Sequence, residues 1–242
     1  MCGAGHLLRR HNNLKGADMN PTITLAQIRA LKFRRNSWQK LKTAYGLDLS
    51  VAVSFGDIAV SNGAEESIWC VQALDWSNIA IRRAVVAALL PSVRRVNANR
   101  NHWQIEACVD IIERWCSGDD SINMNVPNAV IHDLTRNFLY TDIDTRPIFH
   151  SFHAIEFVHS DAANAVRLIA ISGAGNIDAD YAAWCAVRAI GWAVAGSIAH
   201  IEAKNFNSAM RARNAAARDA KAALLNDIIA AFPPMHATRK AA

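Results

Sequence analysis

Apolar residues in this chain recur mostly every three or four positions, the spacing of one face of an α-helix. Thr24 precedes Leu25, Ile28 and Leu31 and can cap the helix that those residues define. Asn36 or Ser37 caps a second helix, with Trp38, Leu41 and Tyr45 turned inward and Gly46 closing it. Val51, Val53 and Phe55 alternate, so this stretch reads either as a short strand or as a turn into a helix around Gly56–Val60. Asn62-Gly63 marks a turn, and Glu65 to Asp75 follows as a helix carrying Ile68, Trp69, Val71 and Leu74. Ser77 caps the next helix, whose stripe is Ile81, Val85, Ala88 and Leu89, with Arg82 and Arg83 facing out and Pro91 ending or kinking it. Trp103, Ile105, Val109, Ile112 and Trp115 form another amphipathic helix, closed by Ser117-Gly118.

The second half begins with a loop from Gly118 through Pro127, a helix from Val130 to Tyr140 and a turn over 141–147. Helices resume near His150, run to Ser172 and break at Gly173-Ala174-Gly175. Asp178 to Lys204 then forms one long helix, with acids at its start and a lysine at its end, as the helix dipole favours. Tyr181, Trp184, Arg188, Trp192 and Ala199 share one face of it, and Val187, Val194, Ile198 and Ile201 share the opposite one. A helix apolar nearly all round belongs inside a core. The last helix carries the stripe Phe206, Met210, Ala217, Leu224 and Ile228, and stops at Pro233-Pro234. The pattern as a whole predicts an all-α fold, an array of short helices packed on a long C-terminal helical hairpin. Its expected divisions are an arm over 1–21, the array over 22–118, an acidic connecting region with helices over 119–177, the hairpin over 178–234 and a basic tail over 235–242. Lys15 to Met19 can be encoded by a purine-rich ribosome-binding sequence followed by an ATG. Met19 is therefore the expected natural start, with residues 1–18 as upstream sequence.

Composition narrows the class. An apolar fraction of 52% with seven tryptophans excludes a disordered chain. Cys2, Cys70, Cys108, Cys116 and Cys185 contain no CxxC pair, so neither a zinc ribbon nor a disulfide framework is expected, and a reducing cytoplasm fits. Tyr181 to Ile201 is long enough to span a bilayer, but it holds Arg188 and His200 and owes its apolarity mainly to alanine, so no membrane span is expected. The net charge of +5 conceals an alternation: residues 1–50 carry nine Lys or Arg against two acids, 119–181 three against nine, and the last 61 residues eight against three. Such alternation suits an electrostatically steered partner or two chain ends that bind each other.

Three constellations carry candidate chemistry. His153, Glu156 and His159 are three apart on an expected helix and could converge on one cation, and Glu156 to His159 has the Glu-x-x-His form of helical di-metal sites. The second such pair those sites require is missing, and aromatic packing by Phe149, Phe152 and Phe157 accounts for the segment without a metal. Val166 to Gly175 imitates a dinucleotide-binding turn, but it lacks the third glycine and places Asp178 and Asp180 where a phosphate would sit. No cofactor is expected. Lys204, Arg211, Arg218 and Lys221 form a basic stripe on the last helix that could follow a phosphate backbone, although no aromatic residues interleave with it. No serine, cysteine or threonine stands in a recognisable nucleophile context, so no catalytic residue is assigned.

The order Trp38-Gln-Lys-Leu41, Asp57-Ile-Ala-Val-Ser-Asn62-Gly63, Ile68-Trp69-Cys70, Arg82-Arg83, Leu89-Leu90-Pro91 and Trp115-Cys-Ser-Gly118-Asp119, with Ile228-Ile-Ala-Ala-Phe-Pro-Pro234 at the end, resembles phage- and prophage-encoded alanine-rich α-helical proteins of unassigned function. The likeness leaves residues 120–177 uncovered and brings no catalytic residues with it. It implies an origin in a bacterial virus and action in the host cytoplasm. The leading expectation is a non-enzymatic helical protein that binds a host or phage protein. The alternative is a nucleic-acid-binding accessory protein using its basic N-terminal and C-terminal helices, and a second alternative is a metal-dependent enzyme at His153, Glu156 and His159.

Overall fold

The computed structural model of the protein describes residues 20–32, 34–97, 103–140, 167–174, 182, 185 and 206–236. Over these residues the fold is all-α apart from a two-stranded ribbon. β1 (Thr22–Thr24) runs antiparallel to β2 (Ala52–Ser54), with Ile23 opposite Val53, both buried. α1 (Leu25–Ala30) starts at Thr24, where a capping box closes: Gln27 N donates to Thr24 Oγ1 at 3.2 Å and Thr24 N donates to Gln27 Oε1 at 2.8 Å. The alternating stretch therefore contains both readings in succession, because β2 leads directly into α3 (Phe55–Asn62) through a second box made by Ser54 and Asp57.

α2 (Arg35–Tyr45) begins before Asn36 and Ser37, and neither caps it. Ser37 is instead buried, its hydroxyl donating to Glu66 Oε1 at 3.4 Å, because α2 lies against α3 and Asn62 Nδ2 reaches the Ser37 carbonyl at 2.8 Å. Gly46 and Gly63 end α2 and α3 with φ of 90° and 102°, a region that favours glycine. The helix expected over Glu65–Asp75 is shorter: α4 (Ala64–Trp69) tightens into a 3-10 turn over Cys70–Ala73. α5 (Ile79–Asn97) continues through Pro91 rather than ending there, with the ring exposed on its outer side. Asn78, not Ser77, serves its first turn, accepting from Ala80 N at 2.9 Å, while Ser77 is held by Asp75.

α6 (Trp103–Cys116) buries Ile105, Val109, Ile112 and Trp115 as its stripe requires, and Cys108 beside them, but Trp103 at its first position is 74% exposed. α7 (Asn125–Tyr140) starts five positions before the expected Val130, since a proline in the first turn, here Pro127, interrupts no helical hydrogen bond. Residues 167–174 are helical (α8), so the stretch that imitated a dinucleotide turn is not a strand there; Gly173 and Ala174 are its last described positions, and Gly175 of the expected break lies outside the described residues. A Cβ on Gly173 would sit 2.5 Å from the Met124 methyl and 3.2 Å from the Trp115 ring, so the glycine allows α8 to approach closely.

The last helix, α9 (Phe206–Ala231), lies across α5 and α3 and also touches α4, while α5 packs on α6 and α6 on α7. Leu224 and Ile228 are buried as the stripe predicts, and Phe232 just past the helix is buried with them. Of the expected helix over 178–204, only Ala182 and Cys185 are described, both helical, and the remainder of that arm of the hairpin lies outside the described residues. No described helix is long and apolar enough to cross a membrane.

Candidate functional site

Two groups of cations among the described residues contrast with each other. Around α5 and α6, arginines meet carboxylates. Arg83 pairs with Asp120 at 2.7 Å, its guanidinium 5.3 Å from the Trp115 ring centre. Arg94 lies among Glu106, Asp110 and Glu113, Arg95 pairs with Asp227 of α9, and Arg114 with Asp119. Arg82 and Arg83 are half-buried rather than turned outward, because α8 covers this end of α5 and Arg82 donates to the Gly173 carbonyl at 3.2 Å.

On α1, α2 and the turn between them the opposite holds. From Asn20 to Leu47 the chain has no acidic residue, and Arg29, Lys32, Arg34, Arg35, Lys40 and Lys42 all fall in this interval. None of the six forms an ion pair or side-chain hydrogen bond among the described residues, and all but the half-buried Lys42 are exposed. Arg34 and Arg35 stand at the cap and first position of α2, whose first turn has no acid. That is the positive end of the helix dipole, where cations oppose helix stability.

A fixed base holds α2 in place. Leu41 is fully buried, Trp38 and Tyr45 pack on the core, and the Tyr45 hydroxyl donates to the Asp57 carbonyl at 2.8 Å. Burial, then the Asp57 carboxylate, pushes the Tyr45 phenol up to about 12. Asp57 is itself fully buried and gathers donors from its own cap and from a distant segment: Ser54 N at 2.9 Å, Met235 N at 3.2 Å and His236 N at 3.0 Å. Phe232 stacks obliquely on Phe55 with ring centres 5.6 Å apart, and a Cβ on Gly56 would lie 1.9 Å from the Phe232 carbonyl oxygen. Residues 232–236 thus form a strap seated against β2 and α3.

Serine, aspartate and histidine meet in this strap, but not as a nucleophile with its base. The His236 imidazole Nε2 faces the Ala52 carbonyl at 2.8 Å, so it donates there, and the Ser54 hydroxyl lies between Asp57 Oδ2 at 3.0 Å and the Pro233 carbonyl at 3.1 Å. The arrangement closes the fold and has no free base beside the hydroxyl. Burial raises the thiols of Cys70, Cys108 (to about 11) and Cys116 (to about 12), which keeps all three protonated near neutral pH.

The expected basic stripe is only partly described. Lys204 lies outside the described residues, and Arg211 is on α9 with its side chain outside them. Arg218 is exposed, and Lys221 is exposed but 3.6 Å from Glu65 of α4. His153, Glu156 and His159 also lie outside the described residues, and among the described ones no cluster of three His, Cys, Asp or Glu could hold a metal ion. The acid-free run from Asn20 to Leu47 was the signal available in the sequence for the α1–α2 surface. No family model matches the chain, and no curated protein or solved structure matches it.

Proposed function

We propose that this is a non-enzymatic binding protein of bacterial-virus origin, acting in the host cytoplasm by holding an acidic macromolecule against α1 and α2. The observation that supports this reading is the set of six cations on α1, α2 and the turn between them without a carboxylate partner among the described residues, in a molecule whose arginines on α5 and α6 are paired. Unpaired like charges close together along one stretch of chain repel each other, and Arg34 and Arg35 add an unfavourable interaction with the dipole of α2. Such an arrangement weakens the free protein and is offset when an anion arrives. The phage origin rests on the sequence likeness alone.

Retention on a polyanionic column tests the proposal. The wild-type chain should elute at clearly higher salt than the variant R34E/R35E/K40E/K42E, while R218E, which alters a single charge on α9, should elute close to wild type. Equal elution of the wild type and the fourfold variant would remove α1 and α2 from the interface.

A further inference from the structure

We infer that the acidic partner is duplex DNA and that α2 lies in its major groove. This rests on the acidic-partner reading above and names the ligand of the same surface. The argument comes from which side chains α2 presents. Its buried side is Ser37 and Leu41, and its exposed side is Arg35, Asn36, Gln39, Lys40 and Thr43, one face at helical spacing.

These residue types suit base edges. Arginine and lysine donate to guanine O6 and N7, and asparagine and glutamine form paired hydrogen bonds with adenine N6 and N7; the Thr43 hydroxyl donates to the Gln39 carbonyl at 3.0 Å, which leaves its methyl to meet a thymine methyl. The Asn36 and Gln39 amides are exposed and make no side-chain hydrogen bond among the described residues, so their donors and acceptors are free. An acidic protein surface requires only the cations. A lipid surface requires large apolar residues beside the charges, and the outward face of α2 has none.

Size and flanking charge agree with this placement. With 11 residues, α2 is about 16 Å long, and the major groove of B-DNA, about 12 Å wide, admits one helix. The cations outside the base-facing set, Arg29, Lys32, Arg34 and Lys42, lie on α1, the turn and the flank of α2, where backbone phosphates on either side of the groove would pass. Lys32 has a φ of 53°, which lets the chain turn sharply between α1 and α2. The major groove of A-form RNA is too deep and narrow for such a helix, so the assignment is to DNA.

Fluorescence anisotropy of the full chain with labelled duplex DNA, duplex RNA and polyglutamate tests this. Duplex DNA should bind best, and with about six phosphates neutralised its affinity should fall by about 10³-fold between about 50 and about 200 mM salt. N36A/Q39A should keep that salt slope but reduce the preference for duplexes selected from a random pool over unselected ones. R34E/R35E should abolish binding while melting no lower than wild type, which separates loss of contact from loss of fold. Binding of polyglutamate without DNA would overturn the DNA assignment and leave the acidic-partner reading intact. Binding of neither would overturn both. Equal affinity for duplex RNA, or an unchanged preference in N36A/Q39A, would remove α2 from the groove.

Discussion

Asp57→Ala is the substitution with the most calculable consequence, because the carboxylate joins the start of α3 to the chain's last described residues. It accepts from Ser54 N, Met235 N and His236 N, and the Ser54 hydroxyl lies 3.0 Å from it. Ser54 is fully buried, so its orphaned N–H meets no solvent and costs roughly 1–3 kcal/mol. The other half of the capping box, Asp57 N donating to Ser54 Oγ, survives the substitution and adds nothing to the loss. The Met235 and His236 amides are nearer the surface, and each loses about 0.5–1.5 kcal/mol, the net worth of an ordinary hydrogen bond. Relief of the buried charge offsets part of this sum. The expected loss is about 3 kcal/mol, a large share of the roughly 5–15 kcal/mol available to a domain. Denaturant titration measures it. Deleting residues 233–242 should destabilise less in D57A than in wild type, since the same contacts cannot be lost twice. A loss below about 1 kcal/mol in D57A, or full additivity with the deletion, would refute the view that this carboxylate holds the strap.

Three further outcomes follow from the same geometry. R34E/R35E should raise the melting temperature slightly, by the few tenths to about 1 kcal/mol per charge that a helix N-terminus gives an acid, while abolishing anion retention; a lower melting temperature would mean that these arginines support the fold. G56A should cost on the order of 3 kcal/mol and expose the C-terminus to limited proteolysis, because the new methyl overlaps the Phe232 carbonyl, and an unchanged digestion pattern would argue against the close approach. For Tyr45 the folded phenol titrates above its ordinary value of 10.0, at about 12, so its contribution is complete below pH 10 and disappears as pH rises through about 12. Unfolding curves across that interval should therefore show a decline that Y45F lacks.

Local chemistry was legible in the sequence, and long-range pairing was not. The cap at Thr24 and the inward positions Ile105, Val109, Ile112 and Trp115 of α6 follow from residues three or four apart and appear as expected, although the reciprocal bond to Gln27 that completes a capping box at Thr24 is not among those expectations. Ser54-x-x-Asp57 has the same form, but the alternation of Val51, Val53 and Phe55 masked it, since a strand entering a helix shows both periods within a few residues. Trp103 was placed inward by spacing, yet the first turn of a helix can extend past the surface its later turns cover. The same limit applies to charge. Lys221 and the α1–α2 lysines look alike along the chain, and only the fold brings Glu65 beside the former. The basic N-terminal region was evident from counting, whereas its lack of partners required knowing where the carboxylates of α6 and α9 are engaged.

The strap also bears on how the protein is made. Asn20 Nδ2 donates to the Pro233 carbonyl at 2.7 Å, a hydrogen bond across 213 positions of sequence. A ribosome delivers the ribbon, α2 and α3 well before the strap, so the groups that complete them are added about 180 positions later. Until residues 232–236 emerge, Asp57 lacks the Met235 and His236 amides and Phe55 lacks the Phe232 ring. The first elements made are therefore among the last to be finished, and a fragment that stops short of the strap carries them on an incomplete support.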